Sequence, residues 1–111
     1  MTDPWKVLER ERRLTPEVRR LIGDRYGQRG VKALEIVDEG RVKKYLDFFV
    51  VVGTSGEHVV EEEFCDCTDA LFRRRGPCAH VLAVRIAALT GRYEEFPLWY
   101  LDSWTMAGQG A

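Results

Sequence analysis

The chain predicts an α+β fold, and three features carry that expectation. Asp3-Pro4 and Thr15-Pro16 each open a charged stretch whose apolar residues recur at helical spacing. Aliphatic runs punctuated by Asp38-Glu39-Gly40 and Gly53-Thr54-Ser55-Gly56 then read as antiparallel strands. Finally a Cys/His loop leads into Val81–Leu89, where Arg85 is the only charge. Such a run reads as a helix covered on nearly every side. The expected order is N-terminal helices, three-stranded antiparallel sheet, Cys/His loop and C-terminal helix, in a single domain over residues 1–111.

Residues 1–30 form the helical N-terminal segment. Proline suits a first helical position because its missing N–H would have no partner there. Leu14, Val18, Leu21 and Ile22 share one face, and Gly23 or Gly27 can close that helix. Arg12, Arg13, Arg19, Arg20 and Arg25 fill the other faces, either as a solvated surface or as a nucleic-acid patch. The three strands are expected at Val31–Val37, Val42–Val52 and His58–Phe64. The middle one is apolar on both faces from Phe48 to Val52, which suits a central strand with cover on each side. The last alternates Val60, Glu62 and Phe64 against Val59, Glu61 and Glu63, in the manner of an edge. His58, at its start, is read as a surface polar residue.

The second half begins with the Cys/His loop. A helix is expected to start at Cys78 and to end at Thr90-Gly91. One side of it should face the sheet, and the N-terminal helices are expected to cover the rest. His80, Ala83 and Ala87 form its close-packed line. Residues 92–111 are an aromatic tail containing Tyr93, Phe96, Trp99, Tyr100 and Trp104. Pro97 argues against a regular helix through it, and folding back over the sheet is the expected use of its rings.

All three cysteines of the chain and one of its two histidines lie in a single array. It runs Cys65-Asp66-Cys67, ten residues, then Cys78-Ala79-His80. Three thiolates and an imidazole complete a tetrahedral zinc shell. Soft donors of this kind select zinc over calcium or magnesium, which take oxygen ligands. Four protein ligands leave no position open for water or substrate, so one structural ion is expected, held by Cys65, Cys67, Cys78 and His80. Three unrelated buried thiols is the plain alternative. A disulfide would leave one cysteine unpaired. A Cys78–His80 nucleophile and base would leave Cys65 and Cys67 without a role.

The array resembles the SWIM zinc finger, whose pattern is C-x-C, a variable spacer, then C-x-H. The likeness covers residues 45–90, as the zinc-finger core. A strand pair ending in Val59-Val60-Glu61-Glu62-Glu63-Phe64 runs into the first Cys pair, and a helix begins at the second. Pro77-Cys78-Ala79-His80-Val81-Leu82-Ala83 is similar to the family's pCxHxxA. Ala83, three residues after His80, resembles the subset of SWIM proteins that partner RecA-like recombinase paralogues. That resemblance implies a non-enzymatic adaptor working with a recombinase-like ATPase in DNA repair.

Charge and composition set the remaining expectations. The formal net charge is −1, with 45% hydrophobic and 32% charged residues, which suits a folded soluble domain and no global polyanion binding. No apolar run approaches the ~20 residues of a membrane span. No secretory leader is read, so a reducing, cytoplasmic setting is expected. Arg73, Arg74 and Arg75 lie between the two ligand pairs and are the candidate contact for phosphates or for an acidic protein surface. They equally suit charge balance, because a Cys3His zinc site carries about one net negative charge and Glu61, Glu62, Glu63, Asp66 and Asp69 lie close in sequence. There is no paired acid and base, no phosphate-cradling glycine loop and no open metal position, so no enzyme is expected. A protein partner, either a recombinase-like ATPase or a second copy of the chain, is the leading expectation. Direct nucleic-acid binding through Arg73–Arg75 is the other.

Overall fold

The structure is a computed structural model and describes residues 3–46, 48–53, 56–61 and 78–99, with the backbone of 64–65. It is α+β, as expected. Helices α1 (Pro4–Glu11), α2 (Pro16–Tyr26) and α3 (Gln28–Asp38) come first. Strands β1 (Val42–Lys44), β2 (Phe49–Gly53), β3 (Gly56–Glu61) and β4 (Phe64–Cys65) follow, then helix α4 (Ala79–Thr90) and strand β5 (Glu94–Glu95). The strands form one mixed sheet in the order β4-β3-β2-β1-β5. Neighbours are antiparallel except β1 and β5, which run parallel.

The helix starts behave as their residues dictate. Asp3 caps α1, its carboxylate accepting the Trp5 N–H at 2.9 Å. Thr15 caps α2, its hydroxyl accepting from Val18 N–H at 3.3 Å. Val18 and Ile22 are fully buried, with Leu14 and Leu21 packed at the margin. Gly27, at φ 60°, separates α2 from α3.

Residues 31–37 are helical, not the first strand. Gly30, Ala33, Leu34 and Val37 recur at spacings of three and four and are buried, while Val31, Lys32 and Glu35 are exposed. A strand would have paired Glu35 with Val31, Ala33 and Val37 on its inner face, so the helical period wins. Gly30 lets α3 approach α2 closely: a Cβ there would stand 2.6 Å from the Ile22 carbonyl oxygen.

The Val42–Val52 stretch divides into β1 and β2, joined tightly enough for Tyr45 N–H to donate to the Phe48 carbonyl at 2.9 Å. β2 is central and covered on both faces. Phe49 and Val51 join the main core beneath the helices, whereas Val50 joins Tyr45, Phe48, Val59, Phe96 and Leu98 on the far side. The expected last strand also divides. β3 stops at Glu61, and Phe64–Cys65 return beside it with Cys65 opposite Val60 and Phe64 opposite Glu61. β3 therefore has a neighbour on each side, and the pairing sets the Cys65 backbone beside Val60.

α4 lies across the sheet and is covered as expected, by α1 and α3 on one side and by β1–β4 on the other. Seven of its residues are buried, from Ala79 to Ala87, and Gly91 ends it in the left-handed conformation at φ 74°. Its one charge, Arg85, lies over the Trp5 ring at 4.9 Å, and Trp5 Nε1 donates to the Tyr26 hydroxyl at 2.7 Å. The described part of the tail, residues 92–99, folds back over the sheet, and Tyr100 and Trp104 lie outside the described residues. Phe96 N–H donates to the Lys44 carbonyl at 2.8 Å, and the Phe96 ring stacks on Tyr45 at 5.1 Å. Among the described residues, no helix is long and apolar enough to cross a membrane.

Two expectations for stability follow. Gly30→Ala should destabilise the fold by about 1–3 kcal/mol despite alanine's better helix propensity, because a backbone carbonyl must move. A lower urea midpoint with an unchanged slope is the readout. The second concerns Asp38, which accepts two hydrogen bonds from Arg19, at 2.7 and 2.8 Å, and one from Arg92 at 3.3 Å. The Arg19 bonds, opposed by partial burial and assisted by the charges of Arg19 and Arg92, hold its carboxyl below the ordinary carboxylate range. The carboxyl is more acidic folded than unfolded. Its contribution is therefore complete above the unfolded value of about 3.9 and disappears as pH falls through the folded one. With about 40% of the side chain exposed, screening limits it to about 0.5–1 kcal/mol. Asp38→Asn should show that deficit in urea melts at pH 7 and none well below pH 3.9.

Candidate metal centre

Two of the four expected ligands stand together at the start of α4. Cys78 is its N-cap, with extended backbone (φ −77°, ψ 171°), and is 2% exposed. Its carbonyl accepts the Leu82 N–H at 3.1 Å, so the helix begins at the cysteine itself. His80 lies in the first turn, half-buried. Both sit where unsatisfied backbone N–H groups and the positive end of the helix dipole favour a negative ligand such as a thiolate.

The backbone of Cys65 belongs to β4, beside β3 and against α4. The ladder thus carries the first pair's leading cysteine to the layer that holds Cys78 and His80. Cys67 and the arginines Arg73, Arg74 and Arg75 lie outside the described residues. Among the described residues no three metal donors converge. The chemistry of the set nevertheless suits zinc: thiols with one imidazole, one thiol buried at a helix start, and a strand and a helix to fix the two halves.

One neighbour of the site escapes the sequence reading. His58 is a half-buried residue of β3, and its ring stacks on that of His80 with centroids 4.5 Å apart and planes 22° from parallel. The signal was present in the alternation of the strand. His58 has the parity of Val60, which is buried in the main core under α4. Position at the strand start suggested solvent, and the shared face was the better guide.

The arginines of the N-terminal helices are engaged locally. Arg19 binds Asp38 at 2.7 Å, Arg20 reaches Asp24 at 3.9 Å, and Arg25 lies 3.6 Å from Asp3. Arg12 donates through Nε to the Glu9 carbonyl at 3.1 Å. These contacts favour a solvated, charge-balanced surface over a phosphate-binding one.

With this geometry in view, comparison with known proteins is specific. A family model for the SWIM zinc finger matches residues 48–88, from the start of β2 into α4. An uncharacterized protein of Archaeoglobus fulgidus is 48% identical over 79 residues, which is 69% of this chain and 69% of the relative. No solved structure matches.

Proposed function

The chain belongs to the SWIM zinc-finger family, a zinc-binding class, and from that premise we propose that it is a non-enzymatic adaptor. In this reading a single structural zinc holds its two halves together, and its tail face docks another protein. Cys65, Cys67, Cys78 and His80 are the four ligands. Zinc, when bound, supplies a tetrahedral crosslink whose sites are all filled by protein. Cys78 and His80 anchor it to α4, and Cys65 anchors it to the sheet through β4.

The observation that carries the docking role is a pair of exposed apolar side chains on adjoining backbone. Among the described residues Leu46 and Trp99 are 58% and 55% exposed. Leu46 N–H donates to the Leu98 carbonyl at 3.0 Å, which brings the two segments together at the rim of the outer sheet face. Tryptophan is among the residues enriched as interface anchors, and here Leu46 beside it and packed Phe96 and Leu98 behind it extend the apolar surface. The net charge of −1 and the paired helical arginines support a protein partner over a nucleic acid. The Cys78–Ala83 motif supports a recombinase-like ATPase in DNA repair as that partner.

Cys78→Ser should weaken zinc binding by more than about 100-fold, since even outer-shell changes cost 10–100-fold. Metal content should fall from one zinc per chain, and chelator should cease to shift the melting temperature. Unchanged zinc content would remove Cys78 from the site. For the adaptor role, tagged full-length chain is used to capture partners from native extract under nuclease. A stoichiometric protein should survive nuclease, persist when Arg73, Arg74 and Arg75 are all replaced by alanine, and fall at least about tenfold with Leu46→Ser and Trp99→Ser combined. Loss of all captured material on nuclease treatment would assign the chain to nucleic acid instead, and loss of a nuclease-resistant protein in the triple arginine variant would move the docking face from the tail to the Arg73–Arg75 segment.

A further inference from the structure

We propose that His58 is a positioning residue of the metal site: its ring, borne by an inner strand, fixes the plane of the His80 imidazole from which zinc is ligated. This inference rests on the reading of His80 as a ligand.

A histidine on the first turn of a helix has a well-defined χ1, but its χ2 is a broad torsion about an sp3–sp2 bond. The ring plane therefore needs an external constraint, and a metal site needs that plane set, because the Zn–N bond of about 2.0–2.1 Å is directed by the nitrogen lone pair in the ring plane. The usual constraint is a hydrogen bond to the second ring nitrogen. Here a flat partner is also supplied, with centroids 4.5 Å apart and planes 22° from parallel.

The partner is held firmly. His58 lies opposite Val51 in the β2–β3 ladder, so its backbone is tied to β2, and β4 flanks the same strand two residues on, at Val60 and Glu61. Its ring also fills the space above Gly53. A Cβ at Gly53 would stand 3.2 Å from His58 Cδ2, 3.3 Å from Nε2 and 3.2 Å from the Gly56 carbonyl oxygen. Gly53 does not have a positive φ, so its backbone has no need of glycine. The space is what requires it, and that space is shared by the His58 ring and the Gly56 carbonyl oxygen.

The same geometry argues against His58 as a ligand in its own right. Two nearly parallel stacked rings direct their lone pairs side by side, so an ion in the plane of one stands well out of the plane of the other. His58, Cys78 and His80 accordingly do not form a converging donor trio.

The test uses full-length protein as wild type, His58→Ala and His58→Phe. Zinc affinity is read by competition with a chromophoric chelator, and the ligand set by the visible absorption of the cobalt-loaded forms. His58→Ala should weaken zinc about tenfold, within the range for outer-shell changes. His58→Phe retains a ring and should stay within about threefold of wild type. All three cobalt forms should show the bands of three sulfurs and one nitrogen. Gly53→Ala, which crowds the ring without removing it, should fall between wild type and His58→Ala. Wild-type affinity in His58→Ala would overturn the proposal, as would equal losses in the Ala and Phe variants, which would mean the ring nitrogens act and not the stack. A cobalt spectrum altered in His58→Ala would make His58 a ligand and overturn it too. Failure of the metal-site reading has a separate signature: wild-type protein that shows no thiolate-to-cobalt absorption.

Discussion

α4 is apolar almost all the way round, and the rest of the molecule is arranged to keep it dry. A helix with one charge in twelve residues cannot lie on a surface. The sheet takes one side, and α1 and α3 take the other. Even the single charge, Arg85, is laid across the Trp5 ring, so the helix meets the surface through a cation–aromatic contact. Burial in this helix also underlies the candidate metal centre, since Cys78 caps the most enclosed element in the fold and His80 lies in its first turn.

Much of this was legible in the residues. Asp3-Pro4 and Thr15-Pro16 start helices for the local reason expected, and Gly91 stops one. The covering of α4 and the return of the aromatic tail followed from the amount of apolar surface to be hidden. The Cys/His array pointed to the family that the comparison then recovered. Residues 31–37 were misread because β-branched content favours a strand, while the positions of Gly30, Ala33, Leu34 and Val37 favour a helix, and tertiary packing against α2 and α4 decided the matter. Register was the other blind spot. Nothing local in Val59–Cys65 shows that Phe64 and Cys65 pair back with Glu61 and Val60.

The same pattern explains His58. A lone histidine at the head of a strand has no local sign of purpose. Its meaning lies in the juxtaposition of β3 with the first turn of α4, some twenty residues away in sequence and in ring contact in space. Gly53 belongs to this arrangement, read as turn chemistry from the sequence and explained by crowding in the fold. The surface charges tell a complementary story. Asp38 gathers Arg19 from α2 and Arg92 from beyond α4, so residues that look like a basic face in sequence become a clasp between the two ends of the helical layer.

The parallel pairing of β5 with β1 joins Lys43 to Glu94 and Lys44 to Glu95. Those partners are far apart in the chain, so this is a ladder whose loop-closure cost is met last. A ribosome releases Tyr45, Phe48 and Val50 long before it releases Phe96 and Leu98, which cover them. During that interval the outer face of the sheet is bare aliphatic and aromatic surface beside the unpaired edge of β1. Until Phe96 and Leu98 are in place, that surface is open to the wrong partners.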